Sequence, residues 1–441
     1  MGEAAPDDER EAAGSDPHAA PRRYLTADIP GTGGRIRDRP EDFLVDEIPA
    51  YEPSGSGEHI YLLVQKRGLS TMEMVEVLSH HFGVRRIDVG CAGLKDKHAV
   101  TRQVASIHVP GRKVEDFPAI RHDRMEVLWA DRHANKLRPG HLKGNRFSIR
   151  IRGVDFAGVR HAKAVLDRLE RDGVPNRVGE QRFGMLGNNH LVGSAFISGD
   201  FERVAALLLG PCARGPGINA QARAHYAAGR LVEALEAFPR PARAERALLR
   251  ELIRGKPFKR AAYAIDMQLQ RFYLSAFQSA VFNTVLDQRL AAGTLATLAP
   301  GDLAFKHDSG AVFAVDETLA VDPATRERLA RLEVSPSGPM WGGRMTRAAG
   351  PVDEVEVAAL REHSVTVEHL AAFGERSPHL VDGKRRPLRV PLTNTDVEGG
   401  VDEHGAYIRV AFDLPRGAFA TAVLPEIMKN AAASPDEDEE E

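Results

Sequence analysis

A chain of 441 residues, 43% hydrophobic and 27% charged, is long enough for two domains that each bury a core without a disulfide or metal staple. Its two cysteines, Cys91 and Cys212, exclude a disulfide framework and a cysteine-built zinc site. No apolar run approaches the ~18 residues of a membrane span and no signal-peptide pattern opens the chain, so a cytoplasmic location is expected. The net charge of −3 is unevenly spread: residues 436–441 are all acidic, and the first 23 residues carry six acids against three bases. Both ends read as disordered tails, and the body between them is net positive.

Folded sequence is expected from Tyr24. Residues 43–48 and 59–65 read as strands joined by the turn Pro53-Ser-Gly-Ser-Gly57. Ser70-Thr-Met-Glu73 is a capping box that opens a helix with Met72, Val75, Leu78 and Phe82 on one face, stopped by Gly83. Residues 104–109 and 146–152 follow as strands, the latter with Phe147, Ile149 and Ile151 alternating with polar residues. Asp155 is the expected N-cap of a helix that turns Val159, Ala162, Leu166 and Leu169 inward and closes at Gly173 and Pro175. From 201 to 293 the texture becomes Ala-, Leu- and Arg-rich and helical, and includes a long helix over 268–290. Strands resume near Asp302 and again over 407–412. Strands and helices therefore mix in one unit, an α+β pattern, with a helix-rich segment inserted between its two parts.

The densest polar cluster is Ala92-Gly-Leu-Lys-Asp-Lys-His-Ala-Val-Thr-Arg-Gln103, in which Asp96 stands between Lys95 and Lys97 with His98 beside it. Flanking cations favour an ionised carboxylate, suited to nucleophilic or electrostatic work and unsuited to general-acid work. A solvated charged turn explains the same residues equally well. Cys91, five residues upstream, fits a small buried residue on a strand better than a thiol nucleophile. Between 131 and 152 seven Lys/Arg face one Asp, the density a phosphate-tracking surface needs. Gly31-Thr-Gly-Gly34 lacks the ending of a phosphate loop, and His80-His81 lacks a metal-ligand pattern.

The segment 92–103 resembles the signature of the TruD family of tRNA pseudouridine synthases. Six further motifs follow that family's order: Arg39-Pro-Glu-Asp-Phe43-x-Val45, Pro53 to His59, Leu142-Lys-Gly-Asn145-x-Phe147, Val178-Gly-Glu-Gln-Arg-Phe-Gly184, Ser275-Ala-Phe-Gln-Ser279 with Phe282-Asn283, and Leu414-Pro-Arg-Gly-Ala-Phe419. The resemblance spans residues 24 to about 429 and departs from the family in Ala418, where a Ser is common, and in Pro425, where an Arg is common. That proline is expected to shorten the last helix.

The resemblance implies a pseudouridine synthase-like catalytic domain with a mixed or antiparallel sheet, over 24–178 and 391–430. A helix-rich TRUD domain is inserted over 179–390. It implies isomerisation of uridine to pseudouridine in tRNA, expected at position 13 of the dihydrouridine arm, with Asp96 as nucleophile and Phe43, Asn145 and Phe419 holding the uridine. It implies no metal, cofactor or nucleotide, a tRNA partner and no membrane, and leaves the oligomeric state open, a monomer being compatible with it. An aromatic ring can stack on an extruded base, and an amide can present donor and acceptor to its edge. Lys143 and Arg146 bracket Asn145 and are expected on the phosphates. Two rivals remain: an N-glycoside hydrolase that releases the free base, and an inactive RNA-binding or chaperone module of the same fold.

Overall fold

The structure, a computed structural model, describes residues 22–212, 217–377 and 380–430. The acidic ends, expected to be disordered, lie outside the described residues. The chain divides into two compact units: Leu25–Asn176 with Arg389–Ser434, and Arg177–Leu388.

The first unit is built on one eight-stranded mixed sheet. Its strands include β1 (Phe43–Pro49), β2 (His59–Arg67), β3 (Val89–Cys91), β4 (Val100–His108), β5 (Met125–His133) and β6 (Leu142–Arg152). Across the sheet the order is Thr393–Asp402, Gly405–Pro415, β6, β1, β4, β2, β5, with β3 alongside β4. Every pairing is antiparallel except β1 with β4, where Leu44 lies opposite Val100. That parallel pairing places the β3–β4 loop, which carries Asp96, at the end of the sheet where β1 begins.

Two helices cover the sheet in this stretch. Helix α1 (Thr71–Phe82) starts at Ser70, whose side chain accepts from Glu73 N while Glu73 reaches back to Ser70 N, and ends at Gly83 in the left-handed conformation. Its buried stripe is Met74, Val75, Leu78 and Phe82, packed on Ile60, Leu62, Ala105 and Ile107. Met72, expected in that stripe, is exposed, because a helix starting at Thr71 turns Thr71 and Met74 inward instead. Helix α2 (Gly158–Asp172) buries Ala162, Val165, Leu166 and Leu169. Asp155 is not its N-cap: the carboxylate accepts from Ala157 N at 3.2 Å, and Ala157 holds the cap position without a side-chain bond. With the helix Ala420–Met428, α2 closes a core over Phe43, Phe147, Ile149, Val410 and Phe412. Each fully buried Leu or Ile there contributes about 1.5–3 kcal/mol.

Pro425 does not end the last helix, which runs on to Met428. The proline gives up one backbone rung, while the adjacent Glu426 is buried and accepts from Leu25 N, Thr26 N and Thr26 Oγ1 at 3.0, 3.0 and 2.7 Å. These bonds tie the closing helix to the start of the unit and offset the lost rung.

The second unit is mostly helical around Met267–Ala291, which buries Ala276, Ser279, Phe282 and Leu286 and leaves Phe272 half-buried. A four-stranded sheet completes it, ordered Lys384–Pro387, Val334–Met340, Leu303–Lys306 and Val312–Ala314. Asn283 pairs its side-chain amide with both N and O of Val178, each at 3.0 Å, so two sequence motifs form one structural clamp. Among the described residues no helix is long and apolar enough to cross a membrane.

Candidate active site

Asp96 lies on the β3–β4 loop, and buried polar groups fix that loop from beneath. Thr71 Oγ1, on the first turn of α1, accepts from Lys95 N at 2.9 Å and donates to Gln103 Oε1 at 3.2 Å. Gln103 Nε2 reaches Gly93 O at 3.4 Å, and Gly140 N donates to Ala92 O at 2.7 Å. Lys66 is wholly buried, and its ammonium donates to the carbonyls of Leu69, Lys95 and Asp96, the last at 3.0 Å. Burial pulls the Lys66 ammonium down to about 8, against an opposing pull from the Asp96 charge. Carbonyl dipoles from two loops thus converge on one cation, which holds the Asp96 backbone in register.

The side chain of Asp96 meets neither flanking lysine in the manner the sequence implied. Its Oδ2 accepts from Arg37 Nη2, and its Oδ1 from the main-chain N of His98 at 3.0 Å. The cation in contact therefore comes from a segment 59 residues away, and His98 contributes its backbone. Arg37 takes a left-handed conformation at φ 65°, strained for a residue with a Cβ. Its guanidinium lies 5.0 Å from the centroid of the Phe43 ring. No signal in the sequence singled out Arg37, which reads as one more loop charge.

Lys95 turns away from Asp96 into the sheet. Its ammonium donates to Glu47 Oε2 at 2.7 Å and to Asn145 Oδ1 at 2.9 Å, while Glu47 Oε1 accepts from Val104 N at 3.2 Å. The Lys95 and Glu47 side chains are 4% and 1% exposed, so this is a buried ion pair whose third partner is Asn145. Strand register explains the meeting: Asn145 on β6 lies opposite Glu47 on β1 and opposite Leu414 on its other side. Gly144 beside it permits that approach, since a Cβ there would stand 2.1 Å from Leu414 O.

The structure thus links Asp96, Phe43 and Asn145 through Arg37 and Lys95. Phe43 is buried, 3% exposed, under Arg37 and edge-on to Phe147 at 6.5 Å. Phe419 differs: it is 58% exposed, in the cap position of the helix Ala420–Met428, five residues beyond the partner of Asn145. Cys91 packs beside the α1 core and burial pushes its thiol up to about 12, the mark of an inert residue.

The basic run over 131–152 is mostly consumed internally. Arg152 is buried against Asp42 and Asp402, with four contacts of 2.6–2.9 Å, and Arg146 pairs with Asp413 at 3.1 Å, away from Asn145. Arg132 and Lys136 donate to the carbonyls of Gly57 and Ile87. Arg138 and Lys143 stay exposed with no ion-pair partner among the described residues, and the exposed Arg416 donates to Gly140 O at 3.2 Å. Among the described residues no cluster of three His, Cys, Asp or Glu is arranged to hold a metal ion.

Comparison with known proteins covers most of the chain. The family model described as tRNA pseudouridine synthase D (TruD) matches residues 20–427. The chain is 43% identical to the tRNA pseudouridine synthase D of Geobacter sulfurreducens, over 92% of this chain and 97% of that one. It is 38% identical to that of Thermus thermophilus, over 93% of each. A crystal structure titled as a TruD protein of Methanosarcina mazei superposes with a TM-score of 0.80 at 28% identity, covering 93% of this chain and 96% of that one.

Proposed function

Because the chain belongs to the tRNA pseudouridine synthase D (TruD) family, we propose that it isomerises uridine to pseudouridine in tRNA, with Asp96 as nucleophile. The observation that carries this reading is a lone carboxylate, 15% exposed, held by Arg37 on a loop pinned from beneath by Lys66. In the reaction the N1–C1′ bond breaks, the base turns, and C5 bonds to C1′. C5 gives up one proton and N1 gains one, so atoms and electrons balance without a redox partner. The Asp96 carboxylate meets C1′ as the positive charge develops there.

A uridine in folded tRNA must leave its stack to reach Asp96, at a cost of a few kcal/mol. Phe419, exposed and capping a helix, stacks on the extruded base, and Asn145, aimed by Lys95, reads its polar edge. Phe43 serves as the floor of the pocket, reached once Arg37 releases Asp96 to the ribose. Leu25–Asn176 with the segment from Arg389 is the catalytic domain, and Arg177–Leu388 is the inserted TRUD domain. The target is position 13 in the dihydrouridine arm. The enzyme works in the cytoplasm without cofactor or metal.

Incubating the protein with tRNA transcripts and mapping pseudouridine at single-nucleotide resolution tests the reading. One modified uridine in the dihydrouridine arm is expected, with the base retained in the RNA. Free uracil in the supernatant would make the protein a glycoside hydrolase, and tight binding without product would make it a binding module.

A further inference from the structure

Next to Asn145, the start of β6 carries a second feature that the chemistry of Asp96 does not use. His141, just before β6, and Lys143 and Asn145 within it are at least partly open, while Leu142 and Gly144 between them are buried. Pairing with β1 slips there: Ile48 lies opposite Gly144 but Pro49 opposite Leu142, so Lys143 has no partner on β1. Such a bulge re-aims the extra side chain, and Lys143 is exposed. Arg416 backs the same stretch, donating its main-chain N to Lys143 O at 3.0 Å.

At the far end of this row stands Tyr51, just past β1. Its ring stacks on His133 at 5.1 Å and 21°, and its hydroxyl meets His141 Nδ1 at 2.9 Å and Tyr61 Oη at 3.4 Å. Tyr61 is itself buried and donates to Asn135 O at 2.9 Å. Tyr51 is therefore held by three neighbours, yet 37% of it remains exposed at the rim of a recess lined by Pro53, Trp129 and Leu137. An exposed, pre-oriented aromatic costs little entropy to use, which is what a base-stacking platform requires.

We propose that Tyr51 and His141 seat the base of a nucleotide adjacent to the target uridine, and that Lys143 holds the phosphate between the two. The row runs from Asn145, which serves the target base, through a cation to an aromatic pair. Steps of two strand residues are roughly 6–7 Å, commensurate with successive nucleotides of an extended, unstacked strand. Once the target uridine is extruded its neighbour loses a stacking partner, and Tyr51 replaces it. The proposal rests on the RNA-modifying reading above and extends it to a second nucleotide.

The test measures the Kd of intact tRNA for wild-type protein, Tyr51→Ala and Tyr51→Trp, each with tRNAs bearing an abasic site immediately 5′ or 3′ of the modified uridine. Tyr51→Ala is expected to weaken binding 5- to 100-fold with kcat within threefold of wild type, and Tyr51→Trp to bind within threefold. One of the two abasic tRNAs should lose the same factor with wild-type protein and lose nothing further with Tyr51→Ala. Should neither abasic site weaken wild-type binding, or should the two losses multiply for both positions, the seat does not exist. The wild-type arm decides even where the alanine variant folds poorly. Because Kd is read independently of product, absence of pseudouridine would overturn the enzymatic reading alone.

Discussion

Two buried ion pairs, one in each unit, show how the same chemistry serves different ends. Arg385 and Glu356 in the inserted unit, 2% and 1% exposed, form a two-pronged contact of 2.6 and 2.7 Å, and Arg385 spends its other donors on Ser337 Oγ and O. All the partners Arg385 has there lie in the core, so the pair is closed. Lys95 and Glu47 are as deeply buried, but the lysine, which directly precedes Asp96 in the chain, keeps a donor for the half-buried Asn145. A closed pair rigidifies a core, whereas an open pair hands its orientation on to a residue that can meet a ligand.

Substitutions that remove charges singly and then together separate the two roles. Lys95→Met strands Glu47 and is expected to cost about 3–5 kcal/mol in stability, with kcat down roughly 100-fold, by calorimetry and single-turnover kinetics. The double change Lys95→Met with Glu47→Leu should recover most of the stability and none of the rate. Glu356→Ala strands Arg385 at a similar cost in stability, but the folded enzyme should keep kcat within twofold of wild type. Arg385→Met with Glu356→Leu should then restore the melting temperature. Equal loss of kcat from both unit-specific doubles would erase the distinction.

Lys66 is a third buried cation, with carbonyls for partners in place of a carboxylate. Folding lowers its proton affinity from 10.5 to about 8, so between those values the unfolded chain holds more protons and stability rises with pH. The groups whose charges bear on Lys66 are Asp96, Lys95, Glu73 and Cys91. Loss of the proton also loosens the Asp96 loop, so kcat should fall as the pH passes about 8, at the foot of the window in which the melting temperature rises. Lys66→Met is expected to flatten the stability rise and to lower kcat at all pH values. The smallest effect belongs to Lys143→Ala. It should weaken tRNA binding a few-fold and reduce the slope of log K against log salt by about one, the signature of a single phosphate contact.

Much of the first unit was legible because its signals are local. The capping box at Ser70, the glycine stop at Gly83 and the alternation of Phe147, Ile149 and Ile151 each report one element without help from the rest of the fold. Illegible parts were those that tertiary partners decide. β4 begins at Val100, four residues before its apolar alternation, because Thr101 and Gln103 are buried and Gln103 is bonded to Thr71 Oγ1 and Gly93 O beneath the Asp96 loop. The basic run over 131–152 looked like one phosphate surface, but Asp42, Asp402 and Asp413, all remote in sequence, claim Arg152 and Arg146. Motif matching singled out Asp96, Phe43, Asn145 and Phe419, while Arg37, which touches Asp96 and Phe43, and Glu47, which shares Lys95 with Asn145, emerge only from the folded chain.

In the proposed mechanism the Asp96 carboxylate does the chemistry while other residues bind and orient the RNA. Asp96→Asn keeps shape and removes the charge that Arg37 grips, so comparing wild type and this variant on one tRNA, for both Kd and single-turnover pseudouridine yield, isolates that role. The prediction is binding within about threefold of wild type and a rate at least 10⁴-fold lower. Pseudouridine formed by Asp96→Asn at a rate near wild type would contradict it.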